Sequence, residues 1–136
     1  MDFLKSLSIA ASGLRAQAGR MRVIAENIAN ADSTAKTAGV DPYRRKIPTF
    51  QSEIDRTLDA RVVSMGRLKT DASDFQSKYQ PGHPAADATG HVKYPNANSL
   101  VEMTDMREAQ RSYEANINVI GATRRMIQKT IEILKA

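Results

Sequence analysis

The sequence predicts a mainly α-helical chain, with long N- and C-terminal helices packed as a coiled-coil-like pair and a small, partly β and irregular region between them. Three observations carry this. Leu4, Leu7, Ala11, Leu14, Ala18, Met21, Ala25 and Ile28 step by three and four residues at one end. Met103, Met106, Tyr113, Ile117, Ile120, Ile127, Ile131 and Leu134 do the same at the other, with Gln110 and Arg124 as interruptions. All five prolines lie between the two stripes. A heptad repeat of apolar side chains keeps one narrow face of a helix against a partner helix. The expected organisation is an N-terminal assembly helix over 1–30, an extended linker and projection over 31–98, and a C-terminal assembly helix over 99–136.

The first helix is expected over 3–29, with Asp2 as its cap and Arg22 and Glu26 spaced for an i,i+4 contact. Gly13 and Gly19 each cost about 1 kcal/mol against alanine inside a helix. With Ala10, Ala11 and Ala18 they leave the backbone thinly covered, which lets another helix approach closely. From Ala31 to Asn98 the helical period is lost, and Asp41-Pro42 and Pro81-Gly82 signal turns. Ala60 to Met65 and His91 to Tyr94 read as strands. Phe50, Ile54 and Leu58 fall at i, i+4 and i+8, the spacing of a short helix between Pro48 and Ala60. Ser99 with Glu102 forms a capping-box pattern that opens the last helix, which then runs without proline to about Leu134. At 1.5 Å per residue that helix is about 54 Å long, against about 40 Å for the first.

Composition narrows the function. The chain has 136 residues, enough for one domain. Its N-terminal stripe is half alanine and buries little area per turn, so the isolated monomer is expected to be marginal, with its termini ordered by neighbours. The formal charge of +5 permits nucleic-acid binding, but Arg44-Arg45-Lys46 is the one dense basic run and the signs are mixed elsewhere. There is no cysteine, which excludes disulfides and thiolate chemistry. No stretch reaches the eighteen or so apolar residues of a membrane span. The N-terminus lacks the pattern of a cleaved secretory signal, because Asp2 precedes Lys5 and Ser6, Ser8, Ser12 and Arg15 interrupt the apolar residues.

No residues assemble into a catalytic, cofactor or metal site in the sequence. His83, Asp87 and His91 are evenly spaced, but Pro84 and Gly90 place them on turn-rich backbone without a second ligand cluster. Asp71 and Asp74 sit in a polar stretch with nothing apolar to raise a carboxyl pKa. Asn27, Asn30, Asn116 and Asn118 are more informative, since asparagine is a poor helix former. Side-chain amides across a helix interface would fix its register, with Asn116 the stronger candidate and Asn30 readable as a plain terminator. Gln110 and Arg124 serve the same purpose or mark where the last helix turns toward solvent.

Ser12-Gly13-Leu14-Arg15-Ala16 and the run from Ala25 to Thr34 resemble the N-terminal signature of the bacterial flagellar rod, hook and hook-associated axial family. Asp41-Pro42-Tyr43-Arg44-Arg45-Lys46, Pro81-Gly82-His83-Pro84, Gly90 to Asn96 and Arg111 to Asn116 are similar to the proximal rod proteins of the flagellar basal body. Gln80 stands where relatives often have an acidic residue, and residues 57–77 match only loosely. The resemblance implies a structural subunit of the periplasm-crossing rod, exported through the flagellar type III apparatus without a cleaved signal. Its implied partners are itself, other proximal rod proteins, the distal rod protein and the rod–export-gate adaptor, with no nucleic acid and no membrane span. The assembly interface it implies takes Leu7, Leu14, Met21, Asn27, Ile28 and Asn30 from the first helix and Tyr43 and Arg44 from the segment after it. From the last helix it takes Met106, Tyr113, Asn116, Ile117, Ile120, Ile127, Ile131 and Leu134. The alternative is a coiled-coil adaptor or regulatory protein that forms a closed soluble complex. Head-to-tail contacts that do not close separate a rod subunit from such an adaptor.

Overall fold

The computed structural model describes residues 2–135. Helix α1 spans Phe3–Ala29, as the stripe indicates. Asp2 caps it, its Oδ1 accepting the Lys5 N–H at 3.1 Å. At the far end Asn30 donates to the Glu26 carbonyl through both its backbone N–H, at 3.1 Å, and its Nδ2, at 2.9 Å, which fixes the last turn. Glu26 pairs with Lys46 from the following segment, so the contact expected with Arg22 is superseded by a partner from outside the helix.

Helix α2 spans Ser99–Lys135. Its cap is Asn98 and not Ser99: Asn98 Oδ1 accepts the Leu100 N–H and its carbonyl accepts the Glu102 N–H, both at 3.0 Å. Glu102 does not close a capping box, because its carboxylate turns inward to a guanidinium and an amide, which bind an ion more strongly than the N–H groups of its own helix.

Six short strands lie between the helices: β1 (Lys46–Ile47), β2 (Phe50–Asp55), β3 (Ala60–Met65), β4 (Lys69–Thr70), β5 (Gln76–Tyr79) and β6 (His91–Tyr94). They form three separate antiparallel pairs, β1 with β4, β2 with β3 and β5 with β6. Strands β3 and β6 are the two expected. The helix suggested by Phe50, Ile54 and Leu58 is instead β2, paired with β3 from Phe50↔Met65 to Asp55↔Ala60. Cross-strand pairing overrides a weak three-residue period here. The turn suits the hairpin, with Asp59 in the left-handed region at φ 46° and Asp55 Oδ1 accepting the Thr57 N–H at 2.9 Å.

The chain divides into two compact units. The first comprises the N-terminal stretch through Met21, Thr49–Gly66, and the chain from Arg107 onward; the second comprises Arg22–Pro48 and Arg67–Met106. In the first unit α1 and α2 run antiparallel. Gly13 faces Asn116 so closely that a Cβ on Gly13 would lie 2.9 Å from the amide oxygen. Arg20 and Glu108 pair at 3.6 Å. Strand β3 lies on α1, the Val63 N–H donating to Ser12 Oγ at 3.2 Å and Ser12 Oγ donating to the Ile9 carbonyl at 2.7 Å. A Cβ on Gly19 would meet the Met65 sulfur at 2.0 Å, so the bare backbone there admits a strand methionine where another helix was expected. In the second unit Val23, Ile24, Val92 and Ala97 are buried together with the polar Asn27 and Glu102.

Candidate functional site

Two features of the chain bear on assembly: the apolar stripes of the helices, and a buried polar cluster in the second unit. The stripes do not coincide with the faces that the helices bury inside the chain. On α1 the buried positions are Ala10, Ala16, Val23, Ile24 and Asn27. Leu7, Leu14, Met21 and Ile28 are half-buried, while Leu4, Ala18 and Ala25 are exposed. On α2 the buried positions are Glu102, Ala109 and Thr123, each seven or fourteen residues from the next, with Asn116 half-buried between the last two. Met106, Tyr113, Ile120 and Ile127 are half-buried, whereas Met103, Ile117, Ile131 and Leu134 are exposed, Ile117 at 47%. One residue along a helix is a rotation of about 100°. Each helix therefore buries a face of mainly small and polar residues, joined on α1 by Val23 and Ile24, with an apolar stripe beside it. Small residues win the internal face because they let two backbones approach. The helices pair as the stripes lead one to expect, and the half-buried members of each stripe flank the buried face.

Asn27 organises the polar cluster. It is fully buried, and its amide makes every hydrogen bond open to it. Oδ1 accepts the Tyr43 hydroxyl at 2.8 Å and the Lys46 N–H at 3.0 Å. Nδ2 donates to the Lys46 carbonyl at 2.8 Å and to Glu102 Oε2 at 3.1 Å. The sequence expectation that a helix asparagine satisfies polar groups across a helix interface is met here, within one chain. Glu102 is 1% exposed, and its other oxygen accepts from Arg45 Nε. Arg45 also faces Asp105 at 3.6 Å and Asp71 at 3.7 Å. Its guanidinium is held charged above the ordinary arginine value, chiefly by the hydrogen bond to Glu102, against the opposing effect of burial. Burial, then the Glu26 and Glu102 carboxylates, push the Tyr43 phenol up to about 12, so it remains a donor to Asn27.

Neighbouring residues fix this cluster from outside. The Arg45 N–H donates to Asn96 Oδ1 at 2.8 Å, and Asn96 Nδ2 donates to the Asp71 carbonyl at 3.1 Å. Arg44 lies over the Phe75 ring at 4.2 Å and donates to the Asp71 and Ser73 carbonyls at 3.3 Å. Tyr43 and Asn27 are thus engaged inside the chain. Arg45 and Asn96 entered the sequence reading only as members of motifs and Glu102 only as a capping residue, and their place in this cluster was missed. The signal for Glu102 was present, since Glu102, Ala109, Asn116 and Thr123 repeat every seven residues as a second, polar heptad.

The remaining sequence candidates have plain structural roles. Asn116 donates to the Ser112 carbonyl of its own helix at 2.9 Å while its amide fills the notch at Gly13. Gln110, Asn118 and Arg124 are exposed. His83 bonds Thr34 Oγ1 at 3.3 Å and accepts the Ala85 N–H at 3.0 Å. Asp87 Oδ1 accepts from the Thr89 hydroxyl, the Thr89 N–H and the His91 N–H, which lower its carboxyl pKa below the usual range. The His91 ring packs edge-on against Tyr79 at 5.3 Å. These are turn-closing contacts. Among the described residues no group of three or more His, Cys, Asp or Glu is placed to hold a metal, and no helix is long and apolar enough to cross a membrane.

Residues 7–35 match the family model described as flagella basal body rod protein. Residues 88–133 match the model for the C-terminal region of the flagellar basal body rod FlgEFG proteins. The flagellar basal-body rod protein FlgC of Agrobacterium fabrum is 53% identical over 137 residues, covering 100% of this chain and 99% of its own. FlgC of Bacillus subtilis is 38% identical over 150 residues, covering 99% of this chain and 100% of its own. FlgC of Salmonella typhimurium is 38% identical over 133 residues, covering 98% of each. On these full-length similarities the chain belongs to the FlgC family of flagellar basal-body rod proteins.

Proposed function

We propose that this chain is a structural, non-catalytic subunit of the proximal flagellar rod, which polymerises through α1 and α2 into the drive shaft that carries torque from motor to hook. One observation supports the assembly role above others: α2 leaves Met103, Ile117, Ile131 and Leu134 of its apolar stripe exposed beside the face used in the chain, and α1 leaves Leu4 exposed and the rest of its stripe only half-covered. Exposed apolar rows of this kind mark contacts with other chains. The contacting residues on this reading are Leu7, Leu14, Met21 and Ile28 of α1 with Met106, Tyr113, Ile117, Ile120, Ile127, Ile131 and Leu134 of α2. Other proximal rod proteins, the distal rod protein and the rod–export-gate adaptor are its neighbours, and the type III export apparatus delivers it to the periplasm without cleavage of a signal.

Ile117→Asp tests the assembly surface. The side chain is half-exposed, so the monomer should change by no more than about 0.5 kcal/mol. In the rod the same change buries an unpaired charge, and incorporation into basal bodies should be lost while the subunit is still secreted. Normal motility with Ile117→Asp would remove residue 117 from the interface. A closed soluble dimer of the wild-type chain, with none in basal bodies, would favour an adaptor instead.

A further inference from the structure

We propose that the free edge of β2, from Phe50 to Ile54, is a docking site for an extended strand of another protein, one that alternates apolar side chains with lysine or arginine. This surface belongs to the hairpin and not to the terminal helices, and it does not depend on the rod-subunit reading.

The hydrogen-bonding pattern of the hairpin leaves this edge open. The Gly66 N–H donates to the Thr49 carbonyl at 2.8 Å. Bonded and non-bonded pairs alternate along an antiparallel ladder. Gln51↔Ser64, Glu53↔Val62 and Asp55↔Ala60 are therefore bonded, and Phe50↔Met65, Ser52↔Val63 and Ile54↔Arg61 are not. In the non-bonded pairs each N–H and C=O points away from the other strand. On β3 the outward Val63 N–H finds Ser12 Oγ of α1 at 3.2 Å. On β2 the outward N–H and C=O groups of Phe50, Ser52 and Ile54 have no such partner among the described residues. Residues 50–54 are all exposed.

Open edges are usually blunted by lysine, proline or a bulge. Phe50–Asp55 contains neither residue, and its six pairs with β3 run without a bulge. The strands other than β2 and β3 are only two or four residues long. An exposed, unblunted edge of this length is a template for strand addition.

The side chains specify the occupant. Residues opposite one another in a ladder share a face. Phe50, Ser52 and Ile54 thus lie on the face of Met65, which is turned to Gly19. Phe50 is 43% exposed and Ile54 61%, with a small serine between them, so an added strand would lay apolar side chains alongside. The other face carries Glu53 and Asp55. Their cross-strand neighbours Val62 and Ala60 bring no cation, and neither carboxylate has an ion pair among the described residues. Opposite charges across a ladder stabilise it and like charges oppose it. Lysine or arginine on that face is therefore favoured, whereas a second β2 would bring the same carboxylates.

The test uses the full chain, with amide exchange read by NMR. It is titrated with a peptide of about eight residues that alternates valine with lysine. A second peptide alternates valine with glutamate. A third repeats the first but is methylated on its valine nitrogens, which removes the N–H groups that would face β2. With the lysine peptide the amides of Phe50, Ser52 and Ile54 should exchange about tenfold more slowly or better, and salt should weaken the effect. The amides of Gln51, Glu53 and Asp55, already bonded to β3, should change little. The other two peptides should leave the outward amides fast. Ser52→Pro removes one outward N–H and keeps the bonds to β3, so it should retain the circular dichroism spectrum and lose the peptide. Should that variant fail to fold, the methylated peptide is the control that decides. No protection by the lysine peptide, or equal protection by either control peptide, overturns the proposal. So does protection that rises with chain concentration in the absence of peptide, because the occupant is then a second copy. Incorporation of tagged chain into basal bodies tests the rod reading separately.

Discussion

The two units of this chain are held together by different physics. In the first, the fully buried apolar side chains among the described residues are all alanines, Ala10, Ala16 and Ala109. It gains closeness of backbones rather than apolar volume, and leaves Leu4, Phe50, Ile54, Ile117 and Ile133 exposed. The second buries Val23, Ile24 and Val92 around a polar cluster in which Asn27 has no bond left to make. Burying a branched aliphatic side chain contributes about 1.5–3 kcal/mol, several times what a methyl group provides. The second unit is therefore the self-sufficient one, with its geometry set by directional bonds. The first buries no large apolar side chain fully among the described residues.

The most severe way to break this contrast is Arg45→Ala. Glu102 would keep a buried charge without its guanidinium, and the second unit should lose about 3–5 kcal/mol in chemical denaturation. A loss under 1 kcal/mol would show that the cluster is not what holds that unit. Next comes Gly19→Ala, where the new methyl collides with Met65 and should loosen the hairpin from α1 by about 1–3 kcal/mol. Met65→Ala in the same chain should recover part of that loss, and strictly additive effects would mean that the notch is not the point of contact.

Amide exchange on dilute monomer sharpens the comparison directly. Residues 22–29 and 99–106 should exchange more slowly than residues 3–21 and 107–135. Uniform strong protection of both helices would remove the distinction. A smaller effect is expected in acid. The Ser73 N–H and then its hydroxyl hold the Asp71 carboxyl below its ordinary value. Its contribution is complete above the unfolded carboxylate value of about 3.9 and is lost as pH falls through the folded value. Asp71→Asn should make acid unfolding less steep below pH 4 or so, and an unchanged acid limb would rule this group out. Least of all, His83→Gln with His91→Gln should shift stability by about 0.5 kcal/mol or less. A larger shift, or metal bound by the wild-type protein and lost from the variant, would give these histidines a role beyond closing turns.

The fold was largely readable because helix periodicity and proline placement are local signals. Both helices fall where the stripes and the Asp2 cap put them, and the strands at 60–65 and 91–94 stand out by composition and turns. What misled was strength of signal. Leu, Met and Ile dominate a pattern search, so the apolar stripe eclipsed the parallel series Glu102, Ala109, Asn116 and Thr123, which is the face α2 buries. Strand β2 was obscured for a different reason: its identity depends on pairing with residues five to fifteen positions away, which no local period encodes. Arg45 and Asn96 were illegible because each acts through a partner more than fifty residues distant.

Asn27 touches Lys46 through the main chain, binding both its N–H and its carbonyl as an adjacent strand would. A side chain that reads backbone is indifferent to the identity of the residue it reads. The Lys46 ammonium reaches a partly exposed Glu26, a pair of the kind that contributes little. A saturation library should therefore tolerate almost any residue except proline at position 46, since proline lacks the N–H that Asn27 accepts. Position 27 should accept essentially one. The two partners of a single interaction would then evolve at very different rates, and sequence variation in related chains would mark Asn27 as indispensable while hiding the segment it holds.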